Sequence, residues 1–234
     1  MIVDFHSHIL PGVDDGSQSV EMSITMLQME AEQGVERVVA TPHFYARKDT
    51  PENFLAKRAA AEALLREEMA RHTGLPELSI GAEVRYFPGI SRSEVLSELA
   101  VDKKGYVLVE MPMDPWTDRM YQDLEDIWHR QALTPIIAHV DRYIAPFRTR
   151  RIPERLAKLP VLVQANASFF LEKSTKNMAL RMLRKGQIHL LGSDCHNPDK
   201  RPPNLDQAAE VICRQLGREA LELVGEYAGE ALGL

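Results

Sequence analysis

Short runs rich in Val, Ile and Leu recur at residues 2–5, 37–41, 78–83, 106–111, 135–139, 161–165 and 188–193. Each has the length of a strand and is apolar at most positions, as strands covered on both faces are. Between them lie helical patterns. The clearest covers residues 50–72, where Thr50 can cap, Pro51 suits the first helical position and Gly74 follows the end. Residues 178–185 stop at Gly186 in the same manner, and two more helices, 205–216 and about 219–232, follow the last strand. Strand and helix alternate through the whole length, which predicts an α/β fold with a parallel sheet. Seven repeats without a long linker favour one domain, residues 1–234, built as a closed or nearly closed TIM-like (β/α)7 barrel. A doubly wound open sheet is the alternative.

Composition narrows the function classes. The chain has 234 residues with 44% hydrophobic and 26% charged positions, an ordinary globular balance. Net charge is −6 with the 28 basic residues scattered, so no basic patch argues for nucleic acid as a partner. No apolar run approaches the roughly 18 to 20 residues that cross a bilayer, so membrane insertion is not expected. Two cysteines, Cys195 and Cys213, and an N-terminus with neither a basic segment nor a long apolar stretch suggest a reducing, cytoplasmic setting. Nothing in the pattern speaks to oligomeric state.

The candidate chemistry is positional. His6 and His8 follow the first predicted strand, His43 the second, Glu83 ends the third, Glu110 the fourth, His139 the fifth, and Asp194 with His196 the seventh. In a barrel all of these fall on the C-terminal rim, where residues distant in sequence converge on one pocket. The alternation of His6-Ser7-His8 points both imidazoles to one face, as chelation requires. The three other histidines, His72, His129 and His189, sit on predicted helices or at a strand start and read as ordinary structural residues. Asp15, in the loop Gly12-Val-Asp-Asp-Gly16, is a further candidate ligand and catalytic carboxylate, or else a turn aspartate. This nitrogen and oxygen set suits Mn, Fe or Zn better than Ca or a thiolate-held zinc.

Nine ligands are too many for one ion and adequate for two or three. With three divalent cations the carboxylates Asp15, Glu83, Glu110 and Asp194 leave the site positive, which favours a phosphate ester. Closely spaced cations lower the pKa of a bridging water, so hydrolysis would need no protein nucleophile. Arg142, three residues past His139, and Arg201, five past His196, can clamp phosphoryl oxygens or else be surface arginines.

These residues fall in blocks: Asp4-Phe-His-Ser-His-Ile-Leu-Pro-Gly-Val-Asp-Asp-Gly16, Ala40-Thr-Pro-His-Phe44, Gly81-Ala-Glu83, Ala138-His-Val-Asp-Arg-Tyr143 and Gly192-Ser-Asp-Cys-His-Asn197. Together they resemble the polymerase-and-histidinol-phosphatase (PHP) superfamily. The extended first block and the arginine of the fourth resemble its bacterial manganese-dependent protein tyrosine phosphatases of capsule and exopolysaccharide loci. The resemblance implies a distorted seven-stranded barrel with a three-metal site. It assigns His6, His8, Glu83 and Asp194 to one ion, Glu83, Glu110 and His139 to a second, and Asp15, His43 and His196 to a third. The implied metal is Mn, with Fe or Zn as alternatives, and the implied substrate is phosphotyrosine on the tail of a bacterial tyrosine kinase. Relatives usually carry His-Pro-Glu-Arg-Tyr where this chain has His139-Val-Asp-Arg-Tyr143.

Cys195 to Arg201 has the Cys-x5-Arg spacing of cysteine-based tyrosine phosphatases, but the loop lacks glycine and carries Pro198 and Asp199. It is therefore expected to be coincidental, with Cys195 turned away from the rim and Cys213 in the core. The competing functions are a histidinol-phosphate phosphatase or other PHP phosphoesterase, a PHP-type nuclease, and a non-enzymatic metal-binding module.

Overall fold

The computed structural model describes residues 1–146, 149 and 151–234. Among them are nine short strands: β1 (Val3–Ser7), β2 (Arg37–Ala40), β3 (His43–Phe44), β4 (Glu77–Ile80), β5 (Glu83–Arg85), β6 (Tyr106–Glu110), β7 (Thr134–Ile137), β8 (Leu162–Asn166) and β9 (Leu190–Gly192). All pair in parallel, in the orders β1-β2-β4 and β3-β5-β6-β7-β8-β9, so the fold is α/β with a curled parallel sheet.

The predicted count of seven becomes nine because a two-residue strand follows the run 37–41 and the run 78–83 divides. Thr41-Pro42 separates β2 from β3, where proline has no N–H to give the ladder, and Gly81-Ala82 separates β4 from β5. Hydrogen bonds continue across both gaps: Thr41 N donates to Ser7 O at 2.8 Å, Gly81 N to Ala40 O at 2.8 Å and Glu83 N to Pro42 O at 3.0 Å. At the other edge Asp194 N donates to His6 O at 2.8 Å and His8 N to Cys195 O at 2.9 Å, tying the end of β9 to β1. The interruptions move two candidate ligands: His43 and Glu83 begin β3 and β5 instead of following or ending longer strands.

Helices cover the outside. Pro51–Met69 starts where the sequence predicts, with the Thr50 hydroxyl accepting from Asn53 N, and stops three residues before the expected end. Leu205–Leu216 and Arg218–Leu232 match their predicted spans, while Lys176–Arg184 starts two residues early. The outer core joins Leu27, Leu65, Leu124, Ile127 and Ile212 of these and neighbouring helices to the sheet. Cys213 is only partly buried, because it lies one residue past the inward-facing Ile212, so it sits beside the core instead of within it.

A second apolar cluster brings Val3, Phe5, Val39, Leu108, Ile136, Ala138 and Leu190 against Ala228, Ala231 and Leu232 of the last helix. Residues from so many strands meet only inside the curl, which that helix closes at one end. A register slip between Asp4 and Ser7 breaks the alternation of β1, so Phe5 joins this cluster while His6 faces the polar end. Asp4 Oδ1 accepts from the backbone N of His6 at 3.1 Å, satisfying a donor at the slip. Among the described residues no helix is long and apolar enough to cross a membrane.

Candidate metal centre

The polar end of the curl collects the predicted ligands. The His6 and His8 Nε2 atoms face each other at 3.2 Å, and lie 3.3 and 3.4 Å from Glu83 Oε2. Asp194 Oδ1 is 3.8 Å from His6 Nε2 and 3.4 Å from His8 Nε2. Glu83 is the hub: His139 Nε2 lies 2.7 Å from its Oε1, and His43 Nδ1 lies 2.8 Å from its Oε2 at an angle that makes no hydrogen bond. All these side chains are buried or nearly so. Asp15 differs, with 73% of its side chain exposed, yet its Oδ1 is 3.6 Å from His43 Nε2 and 3.8 Å from His196 Nε2.

Ligand-capable atoms fall within 4.8 Å of one another in the groups His6–His8–Asp194, His8–His43–His196 and His43–Glu83–Glu110. The first holds three of the four residues that the resemblance assigns to one ion, without Glu83. In the others His43 approaches both His196 and the Glu83–Glu110 pair, whereas His139 touches Glu83 alone.

The ring nitrogens decide whether this set fits cations. His8 Nδ1 is 2.7 Å from Asp14 Oδ2, His6 Nδ1 is 3.2 Å from Gln164 Oε1, and His196 Nδ1 is 3.0 Å from the carbonyl of Asp194. All three partners are acceptors, so each Nδ1 carries a hydrogen and each Nε2 is the ring nitrogen turned inward. Facing lone pairs repel unless a proton or a cation lies between them. Glu83 Oε2, Glu110 Oε2, His43 Nδ1, His139 Nδ1 and His196 Nε2 are likewise buried without a hydrogen-bond partner. A cluster of unpartnered nitrogen and oxygen ligand atoms of this kind fits divalent cations.

Charge follows the same geometry. Burial opposes charge on Glu83, but His6, His139 and His43 around it hold its carboxyl well below the usual range. Burial likewise works against Asp194 ionisation, and His6, His8 and Arg142 overcome it. Burial disfavours the His8 imidazolium, yet Asp14, Asp194 and Glu83 raise its pKa well above the ordinary value, and Glu83 with Asp194 raises that of His6. His196 is pushed down to about 4 by burial and by the positive His8 and Arg201 nearby, which leaves its nitrogen free of a proton at neutral pH.

A family model for capsular polysaccharide synthesis proteins of the CpsB/CapC type matches residues 2–230. The chain belongs to the CpsB/CapC family. Among CpsB/CapC-type relatives, tyrosine-protein phosphatase CpsB of Streptococcus pneumoniae is 31% identical over 235 residues, covering 95% of this chain and 94% of that protein. Tyrosine-protein phosphatase YwqE of Bacillus subtilis is 28% identical over 246 residues, covering 97% of this chain and 90% of that protein. A solved structure from work on YwqE of Bacillus subtilis and CpsB of Streptococcus pneumoniae, described as unique metal-dependent tyrosine phosphatases, superposes with a TM-score of 0.86 at 24% identity. It covers 97% of this chain and 93% of that one, and the likeness is one of fold.

In this CpsB/CapC chain both predicted arginines reach the site. Arg142 Nη2 pairs with Asp194 Oδ2, and Arg201 Nη2 lies 2.8 Å from Asp194 Oδ1. More than a third of each side chain is exposed, so both guanidiniums also face the mouth. Cys195 is fully buried beside Glu30, and burial with the Glu30 and Asp4 carboxyls pushes its thiol well up. His189 accepts from Val163 N at 3.0 Å, His129 lies near a glutamate of its own helix, and His72, which falls just past the end of Pro51–Met69 and not on a helix, lies near Glu68, as structural residues do.

The CpsB/CapC site also holds residues that the motifs do not single out. Gln164 Oε1 accepts from His139 N at 2.6 Å while facing His6, and Asn166 Nδ2 donates to Asp194 Oδ2 at 3.1 Å. Their signal is two polar residues at alternate positions of an apolar strand. His139 and Asp194 have positive φ, 31° and 55°, rare for residues with a side chain. Gly192 allows β9 close to β1, since a Cβ there would lie 2.6 Å from the Cβ of His6.

Proposed function

We propose that this chain is a metal-dependent protein-tyrosine phosphatase, one domain over residues 1–234, acting in the cytoplasm on the phosphotyrosine tail of a bacterial tyrosine kinase that controls capsule or exopolysaccharide synthesis. The observation that carries the metal reading is the pair of inward-facing Nε2 atoms of His6 and His8, 3.2 Å apart beside Glu83 and Asp194. Tyrosine phosphatase relatives that align with 94% and 90% of their length supply the substrate class. We read the nine strands as seven barrel positions, two of them interrupted, because hydrogen bonds span both gaps and join the end of β9 to β1.

We assign His6, His8, Glu83 and Asp194 to one cation, Glu83, Glu110 and His139 to a second, and Asp15, His43 and His196 to a third, with Mn the favoured metal and Fe or Zn possible on the same donors. Bound cations would supply Lewis acidity toward water and the phosphoryl oxygens. The chain's own residues do the rest. Glu83, central to four imidazoles, would serve two of the cation positions. Arg142 and Arg201 hold Asp194 from its two oxygens and offer their remaining N–H groups to a phosphoryl group at the mouth. Asp15, exposed beside His43 and His196, would complete the third set and be the catalytic carboxylate nearest solvent. Tyrosine leaves as a phenolate whose acid has a pKa of about 10, so the reaction needs no strong general acid.

Steady-state kinetics on a phosphotyrosine peptide and on histidinol phosphate, with metal content measured, tests the reading. Preference for the peptide is expected. Preference for histidinol phosphate would move the chain to the rival phosphoesterase function, and Mn-loaded protein inert on both would be a binding module.

A further inference from the structure

Arg85 lies two residues past Glu83 on β5 and therefore on the same strand face. Its register partner on β6 is Glu110, the last residue of that strand. The Arg85 Nη1 atom is 2.8 Å from Glu110 Oε1. Glu110 Oε2 is buried and has no hydrogen-bond partner, and ligand-capable atoms of Glu110, Glu83 and His43 lie within 4.8 Å of one another. The two oxygens of Glu110 are thus divided: one is held by a guanidinium, the other turned toward the centre.

We propose that Arg85 is a positioning residue for the metal centre, fixing the Glu110 carboxylate so that Oε2 faces Glu83 and His43. The inference rests on the metal reading above. Two carboxylates on adjacent strands repel, and a glutamate has three rotatable bonds with which to turn away. Arg85 counters both effects, because it adds positive charge on the outer side of Glu110 and anchors one oxygen along a fixed direction. With 38% of its side chain exposed, the guanidinium keeps part of its hydration, so placing it there costs little. Arg85 differs from Arg142 and Arg201 in its target: those two share Asp194, whereas Arg85 serves the opposite carboxylate.

The experiment is Mn(II) titration of chelator-stripped full-length protein, followed by calorimetry or electron paramagnetic resonance, for wild type, Arg85→Gln, Arg85→Lys, Glu110→Gln and the Arg85→Gln/Glu110→Gln double variant. Arg85→Gln should weaken one Mn site by about 10- to 100-fold and leave the others within a few-fold. Lysine should recover part of the loss, since it supplies charge without the fork. In the Glu110→Gln background Arg85→Gln should cost nothing further, because its target is gone. Unchanged Mn binding in Arg85→Gln overturns the proposal, including the case in which only KM rises, which would make Arg85 a substrate contact. Uniform weakening at every site, or full additivity with Glu110→Gln, overturns it as well. Should Arg85→Gln fail to fold, Arg85→Lys decides, and wild-type Mn affinity there refutes the role. Failure of wild type to bind Mn would instead sink the metal reading itself.

Discussion

Asp14 Oδ2 accepts from Nδ1 of His8 at 2.7 Å, and the same oxygen accepts from the backbone N of His43 at 2.9 Å. One buried carboxylate therefore orients one imidazole and fixes the chain that carries another. Replacing it with asparagine should keep the shape and lower Mn affinity by about 10- to 100-fold, as loss of an orienting partner behind a ligand histidine does. Calorimetric Mn titration measures this, and wild-type affinity in Asp14→Asn would reduce Asp14 to a turn residue.

Metal removal has a pH signature. Neighbouring carboxylates raise the pKa values of His6 and His8, so these rings keep protons that a cation must displace. Affinity should therefore rise with pH through their titration range, by about tenfold per pH unit for each proton released. Calorimetry in buffers of different ionisation enthalpy counts those protons. Chelation should abolish phosphatase activity and Mn should restore it; full activity in metal-free protein would contradict the mechanism.

Cys195 is fully buried, and its thiol is pushed well up by burial, Glu30 and Asp4, the reverse of what a nucleophilic thiolate needs. Cys195→Ser should turn over within a few-fold of wild type at equal metal content. A loss of several orders of magnitude would restore the cysteine mechanism.

Arg142 and Arg201 grip opposite oxygens of Asp194. Alanine at either position should lower kcat/KM on a phosphotyrosine peptide by about 10- to 1,000-fold, and lysine should recover only part. Because both touch Asp194, the double variant should lose less than the product of the single effects. Strict multiplicativity would mean that the two act independently.

Much of this was legible in the residues. His6, His8, His43, Glu83, Glu110, His139, Asp194 and His196 announce themselves through strand-end spacing, and the structure gathers them at one end of the curl. Less legible was whatever depends on a broken period. The apolar run 78–83 gives no hint that it divides at Gly81-Ala82, because each half is too short to show its own alternation. The slip between Asp4 and Ser7 likewise changes which side His6 faces without leaving a mark in hydropathy. Gln164, Asn166 and Arg85 escaped because a single amide or arginine carries no spacing signal of its own, and only their partners across the sheet give them a role.

The positive φ at His139 and Asp194 sets folding against function. In the left-handed region a side chain costs on the order of 1–3 kcal/mol that glycine would not incur, yet glycine offers no ligand atom. At each position the glycine variant should therefore melt higher than the alanine variant, although both lack the side chain proposed as a ligand. The backbone strain therefore sits at two residues whose side chains are tied most heavily into the site, Asp194 by Arg142, Arg201 and Asn166 and His139 by Glu83.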